Sequence, residues 1–193
     1  MTFHDASPAK IAICNSFLSL LKQYTFDKIT VREIISCAYV NRSTFYKYFD
    51  GKFSLLNYIE NCFFDGLHTL LDEACSPDVM QEEPPFFVSY FSYIESHQEL
   101  YKLLLEKAPD FEARQRQSLY NYSYTHAEAR ESILGVDNCI SHELSALMIS
   151  SLYSALFVNW VKNGMSYSKE EMGRIIQIFW KRFASYDIPP DLQ

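Results

Sequence analysis

The residues best suited to chemistry lie in one short stretch, Val40 to Phe49, which reads VNRSTFYKYF. Arg42 and Lys47 supply cations, Tyr46 and Tyr48 phenols, Ser43 and Thr44 hydroxyls, and no acid stands between Asn41 and Phe49. Wound at about 100° per residue, Phe45 and Phe49 fall on one side of a helix. Arg42, Ser43, Tyr46 and Lys47 fall on the other, with Thr44 at the edge. A solvated helix face usually carries Glu and Lys four residues apart; this one carries the groups that hold and read a polyanion. Arginine can fork onto guanine O6 and N7, and a threonine methyl can touch a thymine methyl. Tyrosine hydroxyls and lysine amines reach phosphate oxygens and fix the docking register.

The charge distribution agrees. The chain has 193 residues and a formal net charge of −7. Residues 1–52 nevertheless hold seven Lys/Arg against four Asp/Glu, and the remaining 141 hold ten against twenty. A basic head on an acidic body brings one end to a polyanion and repels the rest. Other chemistries find little support. His4, His68, His97, His126 and His142 are scattered, with no H-x-x-x-H or H-E-x-x-H pattern for a metal. There is no glycine-rich phosphate loop and no G-x-S-x-G. No catalytic residue, metal ligand or cofactor is assigned. Five cysteines (Cys14, Cys37, Cys62, Cys75, Cys139) lie far apart, which argues against a disulfide framework. No apolar run is expected to reach the roughly 18 to 20 residues that cross a bilayer. The start lacks the layout of a signal peptide, so a cytoplasmic protein with no membrane partner is expected.

The elements that must position the cationic stretch are helical. Five glycines in 193 residues and few alternating runs give an all-α fold class, with about nine helices. A first helix runs from Ser7 or Pro8 to Tyr24, with Ile11, Cys14, Phe17, Leu18 and Leu21 as its apolar stripe. Thr30-x-x-Glu33 is a capping box that opens a short second helix to Ala38. Asn41 is a natural N-cap for the third, which ends near Phe49 before Asp50-Gly51. A fourth helix spans Lys52 to Ala74, its inner side read from Phe53, Leu56, Ile59, Phe63 and Leu67. CSPDVMQEEPP is a linker, after which a helix from Pro84-Pro85 to Lys107 and another over 110–133 are expected. LGVDN reads as a loop. A long apolar helix covers Ser141 to Asn163, capped by Gly164. Ser168-x-x-Glu171 is a second capping box, opening a last helix to Tyr186. The N-termini of the second and fourth helices offer free amides to phosphates, with Thr30 and Lys52 alongside.

Two short helices joined by a three-residue turn, the second cationic, make a helix-turn-helix over about residues 30–49. The stretch FDKITVREIISCAYVNRSTFYKYFDGKFSLL resembles the N-terminal domain of the TetR/AcrR family of transcriptional regulators. The matching positions are Thr30, Val31, Ile34, Ala38, Val40, Thr44, Phe45, Tyr46, Tyr48, Phe49, Lys52 and Leu55. The resemblance covers residues 8–67, about a third of the chain. It departs from the family at Tyr39, where glycine is usual, and at Ser43, where glycine or proline is common. By position, it implies groove contacts for Arg32 and Arg42, with Thr44 and Lys47 beside them, and phosphate contacts for Tyr46, Tyr48 and Lys52. Asn41, Ser43 and Thr30 complete the expected DNA-binding set.

The resemblance further implies two domains, a DNA-binding one at 7–67 and a larger helical one at 75–193 for dimerisation and ligand binding. The C-terminal stretch SSLYSALFVNWVKNGMSYSKEEMGRIIQIF is similar to a family submotif of two helices that form a dimer interface. Candidates there are Leu144, Met148, Ser151, Leu152, Ala155 and Val158, with Ile175, Ile176 and Phe179. Dense aromatics (Phe87, Tyr90, Phe91, Tyr120, Tyr124, Tyr153, Phe157) either line a pocket for an apolar or aromatic effector or simply fill the core. The expectation is a homodimeric, ligand-responsive repressor on an inverted-repeat operator in double-stranded DNA. The alternative is a co-regulator of the same fold that works through protein–protein contacts.

Overall fold

The structure, a computed structural model, describes residues 6–74, 85–128 and 141–184, the side chains of 85–87 and 180–184 excepted. Among the described residues there are nine α-helices and no strand: α1 (Pro8–Gln23), α2 (Val31–Ala38), α3 (Arg42–Tyr48), α4 (Lys52–Ala74), α5 (Pro85–Ser96), α6 (Gln98–Lys107), α7 (Phe111–Thr125), α8 (His142–Lys162) and α9 (Lys169–Ala184). A 3-10 turn at Phe26–Lys28 joins α1 to α2. The linker at 75–84, the loop at 134–138 and the tail beyond 184 lie outside the described residues. The chain divides into two compact units, residues 1–67 with 99–111, and residues 68–98 with 112–193. The continuous helix α4 supplies residues to both.

The first unit is built on α1. Ser7 caps it through the Lys10 amide, with Pro8 in its first turn, where a missing N–H costs nothing. Its buried stripe is Ile13, Cys14, Phe17, Leu20 and Leu21. This is rotated slightly from the expected one, since Ile11 and Leu18 stay half-buried. Phe17 meets Phe26 edge-on at 6.2 Å. Burial pushes the Cys14 thiol up to about 12, with Cys62 nearby adding to the effect. It therefore stays protonated and behaves as a small core group. From α4, Leu55, Leu56, Ile59 and Phe63 are buried, but Phe53 is not: 60% of it is exposed. Its ring lies on Phe26 at 4.7 Å from outside. Further along, Phe63 and Phe64 pack on Tyr101 and Phe111.

The second unit is held by α5, α7, α8 and α9. The helix expected from 84 to 107 is two, broken at His97, whose N–H bonds back to the Tyr93 and Ile94 carbonyls. Its ring Nδ1 lies 3.0 Å from the Tyr93 carbonyl oxygen and 2.9 Å from the Ser96 hydroxyl. Helix α8 starts at the cap Ser141. It ends where Gly164 (φ 70°) and Met165 (φ 55°) turn left-handed, with the Met165 N–H on the Trp160 carbonyl at 2.8 Å. The Trp160 indole N–H then fastens the Tyr167 carbonyl at 2.8 Å. The Ser168–Glu171 capping box forms as expected, with amide bonds of 2.7 and 3.2 Å. Contrary to the sequence expectation, α8 is long and apolar enough to cross a membrane by length and composition. Half of its most apolar window is buried within the protein, however, because Ala146, Ile149, Tyr153, Phe157 and Trp160 face its neighbours.

Gly173 allows α9 to lie close on α5. A Cβ there would stand 2.7 Å from Val88 Cγ2 and 3.2 Å from the Val88 backbone N. Neither is the loose end of a flexible chain. Gly173→Ala should therefore cost about 1–3 kcal/mol of overpacking against a helix-propensity gain of about 1 kcal/mol. The expected result is a net loss of about 1 kcal/mol in urea unfolding. A gain in stability would contradict this close packing.

Candidate nucleic-acid interface

Helix α3 has only seven residues, far too few to persist alone. Its anchor is Phe45, fully buried, with Phe49 just beyond it, 4% exposed. Their rings are 5.9 Å apart. Lys10 lies over the Phe49 ring at 5.7 Å and the Tyr58 ring at 3.5 Å, tying α1 to this base. At the N-terminus, Asn41 accepts from the Thr44 amide and from the Ser43 hydroxyl, both at 2.7 Å. Helix α2 is set by its capping box. The Thr30 N–H and hydroxyl donate to Glu33 Oε2 at 2.8 and 2.7 Å, and the Glu33 amide returns to Thr30 Oγ1 at 3.3 Å. The Thr30 hydroxyl bond, then its backbone N–H, holds the Glu33 carboxyl below its usual range. The box is therefore complete above the ordinary carboxylate pKa and loosens as pH falls through the depressed one.

With the phenylalanines inside, Arg42, Ser43, Tyr46 and Lys47 stand on the exposed side, and Thr44 is half-buried beside them. Arg32 on α2 is exposed as well. The Arg42 guanidinium lies 5.4 Å from the Tyr46 ring centre and the Lys47 ammonium 5.5 Å from that of Tyr48. Each cation thus lies along a ring, and among the described residues neither is paired with an acid. Tyr48 has a partner that sequence reasoning missed: its hydroxyl oxygen accepts from the Ser7 hydroxyl at 2.9 Å. That bond orients the phenol and leaves its own proton to donate. No local signal marks it, since the two residues are 41 apart.

Two of the expected polar contacts are already engaged within the chain. Lys52 donates to the carbonyls of Phe26, Asp27 and Ile29 at 2.9, 3.1 and 2.9 Å, and it sits over the Phe26 ring. An ammonium has three donors, so all are spent inside the protein rather than offered to a phosphate. Thr30 likewise commits its hydroxyl proton to Glu33. Lys52 instead closes the 3-10 turn that delivers the chain to α2.

The turn itself contains Tyr39, at φ 52° and ψ 38°. This left-handed conformation costs a residue with a Cβ roughly 1–2 kcal/mol. Its N–H caps α2 on the Ile35 and Ser36 carbonyls, as a glycine would. The residue is 96% exposed.

The aromatic set in the second unit separates into two groups. Tyr90, Phe91, Tyr153 and Phe157 are buried together, with Tyr90 stacked on Tyr153 at 4.9 Å and on Phe157 at 5.6 Å. Trp160 closes on Phe91 at 5.1 Å. Tyr120 and Tyr124 are not in this group; they stack on one another on the outer side of α7. Tyr122 faces inward instead, its hydroxyl donating to Asp72 at 2.7 Å. The Phe87 side chain lies outside the described residues. No group of three or more metal-binding side chains occurs among the described residues.

On α8 and α9 the residues expected at an interface are exposed at Met148, Ser151, Ala155, Ile175 and Phe179, and half-buried at Leu152. Val158 and Ile176 are buried in the chain's own core. Sequence reasoning missed Leu147 and Ile178, which are 52% and 47% exposed. Their signal was their place one turn from Leu144 and next to Phe179.

Residues 18–59 match the family model described as bacterial regulatory proteins, tetR family. Residues 81–182, more than half of the chain, match one described as a transcriptional regulator C-terminal region. A solved structure described as a TetR-family transcriptional regulator from Syntrophomonas wolfei is similar at TM-score 0.72 and 18% identity, covering 94% of this chain and 97% of that one. A TetR transcriptional regulator from Streptococcus agalactiae is similar at 0.65 and 23%, over 92% and 94%. The fatty acid degradation regulator from Bacillus halodurans is similar at 0.65 and 15%, over 95% and 100%. At these identities the likeness to solved structures is one of fold. No curated protein matches the chain.

The internal role of Lys52 has a measurable consequence. Lys52→Met should lower stability by about 1.5–3 kcal/mol in urea unfolding, the range for hydrogen bonds involving a charged group. It should leave the slope of log affinity against log salt for any bound duplex unchanged. A slope flatter by about one would instead restore Lys52 as a phosphate contact.

Proposed function

The chain belongs to the TetR family of bacterial regulatory proteins, and from that premise we propose a sequence-specific DNA-binding regulator. It acts in the cytoplasm as a homodimer on an inverted repeat and represses until an effector binds. The observation that carries the DNA-reading role is the acid-free outer face of α3. Arg42, Ser43, Tyr46 and Lys47 are exposed together there, while Phe45 and Phe49 fix the helix from behind. Arg42, in the first turn of α3, reads a base edge. Tyr46, Lys47 and Tyr48 hold phosphates, Arg32 approaches from α2, and Ser43 and Thr44 touch the groove wall.

The homodimer is supported by the apolar residues that α8 and α9 leave uncovered in the single chain. Leu144, Leu147 and Met148 are exposed on α8, and Ile175, Ile178 and Phe179 on α9. So many large apolar side chains in one unit call for a partner surface, and a second copy presents the same set to itself. Two recognition helices held by such a dimer read half-sites about 34 Å apart. The effector is an apolar or aromatic molecule that enters among Tyr90, Phe91, Tyr153 and Phe157. It shifts the dimer away from operator spacing by binding one state better than the other.

Two predictions follow from this reading. Selection from a random duplex pool by the purified protein should enrich an inverted repeat. Arg42→Ala should then cost about 1–3 kcal/mol and relax preference at one position of each half-site. Selectivity unchanged in Arg42→Ala would remove that residue from base reading. No enrichment by folded, dimeric protein would move the weight to a co-regulator acting through protein contacts. Separately, Leu147→Glu, at a site exposed in the single chain, should leave the fold intact and yield monomers in sedimentation velocity. Leu147→Glu that stays dimeric would place the interface elsewhere.

A further inference from the structure

We infer that Tyr39, in the turn between α2 and α3, donates its hydroxyl to a DNA phosphate at the rim of the groove that α3 enters. This deepens the proposed DNA-binding role and rests on it.

The side chain of Tyr39 does nothing evident for the fold. Its backbone lies at φ 52° and ψ 38°, where glycine is at ease and a Cβ is strained. The useful work at this position is the backbone N–H capping α2 on Ile35 and Ser36, and glycine would perform it without strain. The ring gains no burial in return, being 96% exposed. It is the most exposed large hydrophobic residue among the described residues. Strain that the fold does not repay points to a use outside the fold.

Its place says what that use is. Tyr39 stands two residues before Asn41, the N-cap of α3, and the first helical residues after it, Arg42 and Ser43, are exposed. A recognition helix meets the bases with its N-terminal residues, so the turn leading into it is carried to the edge of the groove, where the phosphates stand. A tyrosine hydroxyl donates one hydrogen bond, and phosphate oxygens only accept. Because the phenol is neutral, the contact tightens binding without displacing a counterion. It therefore adds nothing to the salt dependence, which separates it from Lys47.

The test uses the full chain and the duplex it selects from a random pool. Affinities of wild type, Tyr39→Phe, Tyr39→Gly and Lys47→Ala are measured across a range of salt, with thermal unfolding in parallel. Tyr39→Gly should melt at or above the wild-type temperature yet bind about tenfold more weakly, the loss expected for a hydrogen bond to a charged group. Tyr39→Phe, which removes only the hydroxyl, should show most of that loss. Both should keep the wild-type salt slope, while Lys47→Ala flattens it by about one. Ethylation of the contacted phosphate in each half-site should weaken wild type more than Tyr39→Phe, which has already lost that hydrogen bond. Tyr39→Phe and Tyr39→Gly binding within twofold of wild type, with Lys47→Ala weakened, would overturn the contact and leave the DNA-binding role standing. Loss in Tyr39→Gly alone would overturn the hydroxyl's part. A wild type that selects no duplex would overturn the role and this contact with it.

Discussion

Everything proposed for the outer face of α3 depends on the burial of Phe45 and Phe49 behind it. A helix of seven residues has too few internal bonds to offset its own nucleation. Its existence and its rotation about its axis are therefore both settled by tertiary packing. Phe45 fixes the rotation, since moving it out of the core would turn Arg42, Tyr46 and Lys47 inward. Asn41 fixes the start by satisfying the Thr44 amide, and Lys10 and Tyr58 brace the base on which Phe49 sits. Precision at the outer face is inherited from apolar contacts on the inner one.

The second constraint is how α2 is delivered to that base. The chain leaves α1 at Tyr24 and must turn within a few residues through the 3-10 turn at Phe26–Lys28. Lys52, from the start of α4, gathers the carbonyls of Phe26, Asp27 and Ile29 around that turn, and Phe26 and Ile29 plug the core beneath. A cation in the middle of a DNA-binding motif thus works as a clasp. The sign of a charge told nothing about whether it faces a polyanion or its own backbone; the geometry of its three donors did.

What was legible in the sequence was mostly local. Both capping boxes, the Asn41 cap, the Gly164 stop and the alternation of phenylalanines with polar groups on α3 are written within four or five residues, and each formed where expected. What was not legible depends on phase or on distance. Tyrosines 120, 122 and 124 are equivalent to the eye, but successive alternate residues on a helix are about 200° apart, so one turned inward and two did not. Phe53 fits an apolar stripe by spacing, yet it ended on the outside of Phe26. The carbonyls that Lys52 gathers lie 23 to 26 residues away, and at the break the Tyr93 carbonyl is met by the His97 N–H, the His97 ring and the Ser96 hydroxyl together, a convergence that periodicity does not show. In the outer face of α8, spacing identified Met148 and Ser151 but not Leu147, because a residue one position on changes the stripe's width rather than its period.

The aromatic cluster sets a condition on any effector. Tyr90 is stacked on Tyr153 and on Phe157, and Phe91 and Trp160 close the edge, so a ligand entering there would exchange ring–ring contacts for ring–ligand contacts of similar kind. The net gain from stacking is then small, and dispersion does not by itself distinguish one dimer state from another. Differential affinity is what shifts a two-state equilibrium: a change from 1:99 to 99:1 needs about 5.5 kcal/mol of it. That difference must come from rearranging the cluster, by separating rings in one state that remain packed in the other. A molecule that merely replaced one ring's contacts would bind and signal nothing. On the proposed function, an inducer is therefore one large or rigid enough to hold the rings apart. On that proposal, the stacking that makes the cluster a good core is the same property that sets a threshold for the effector.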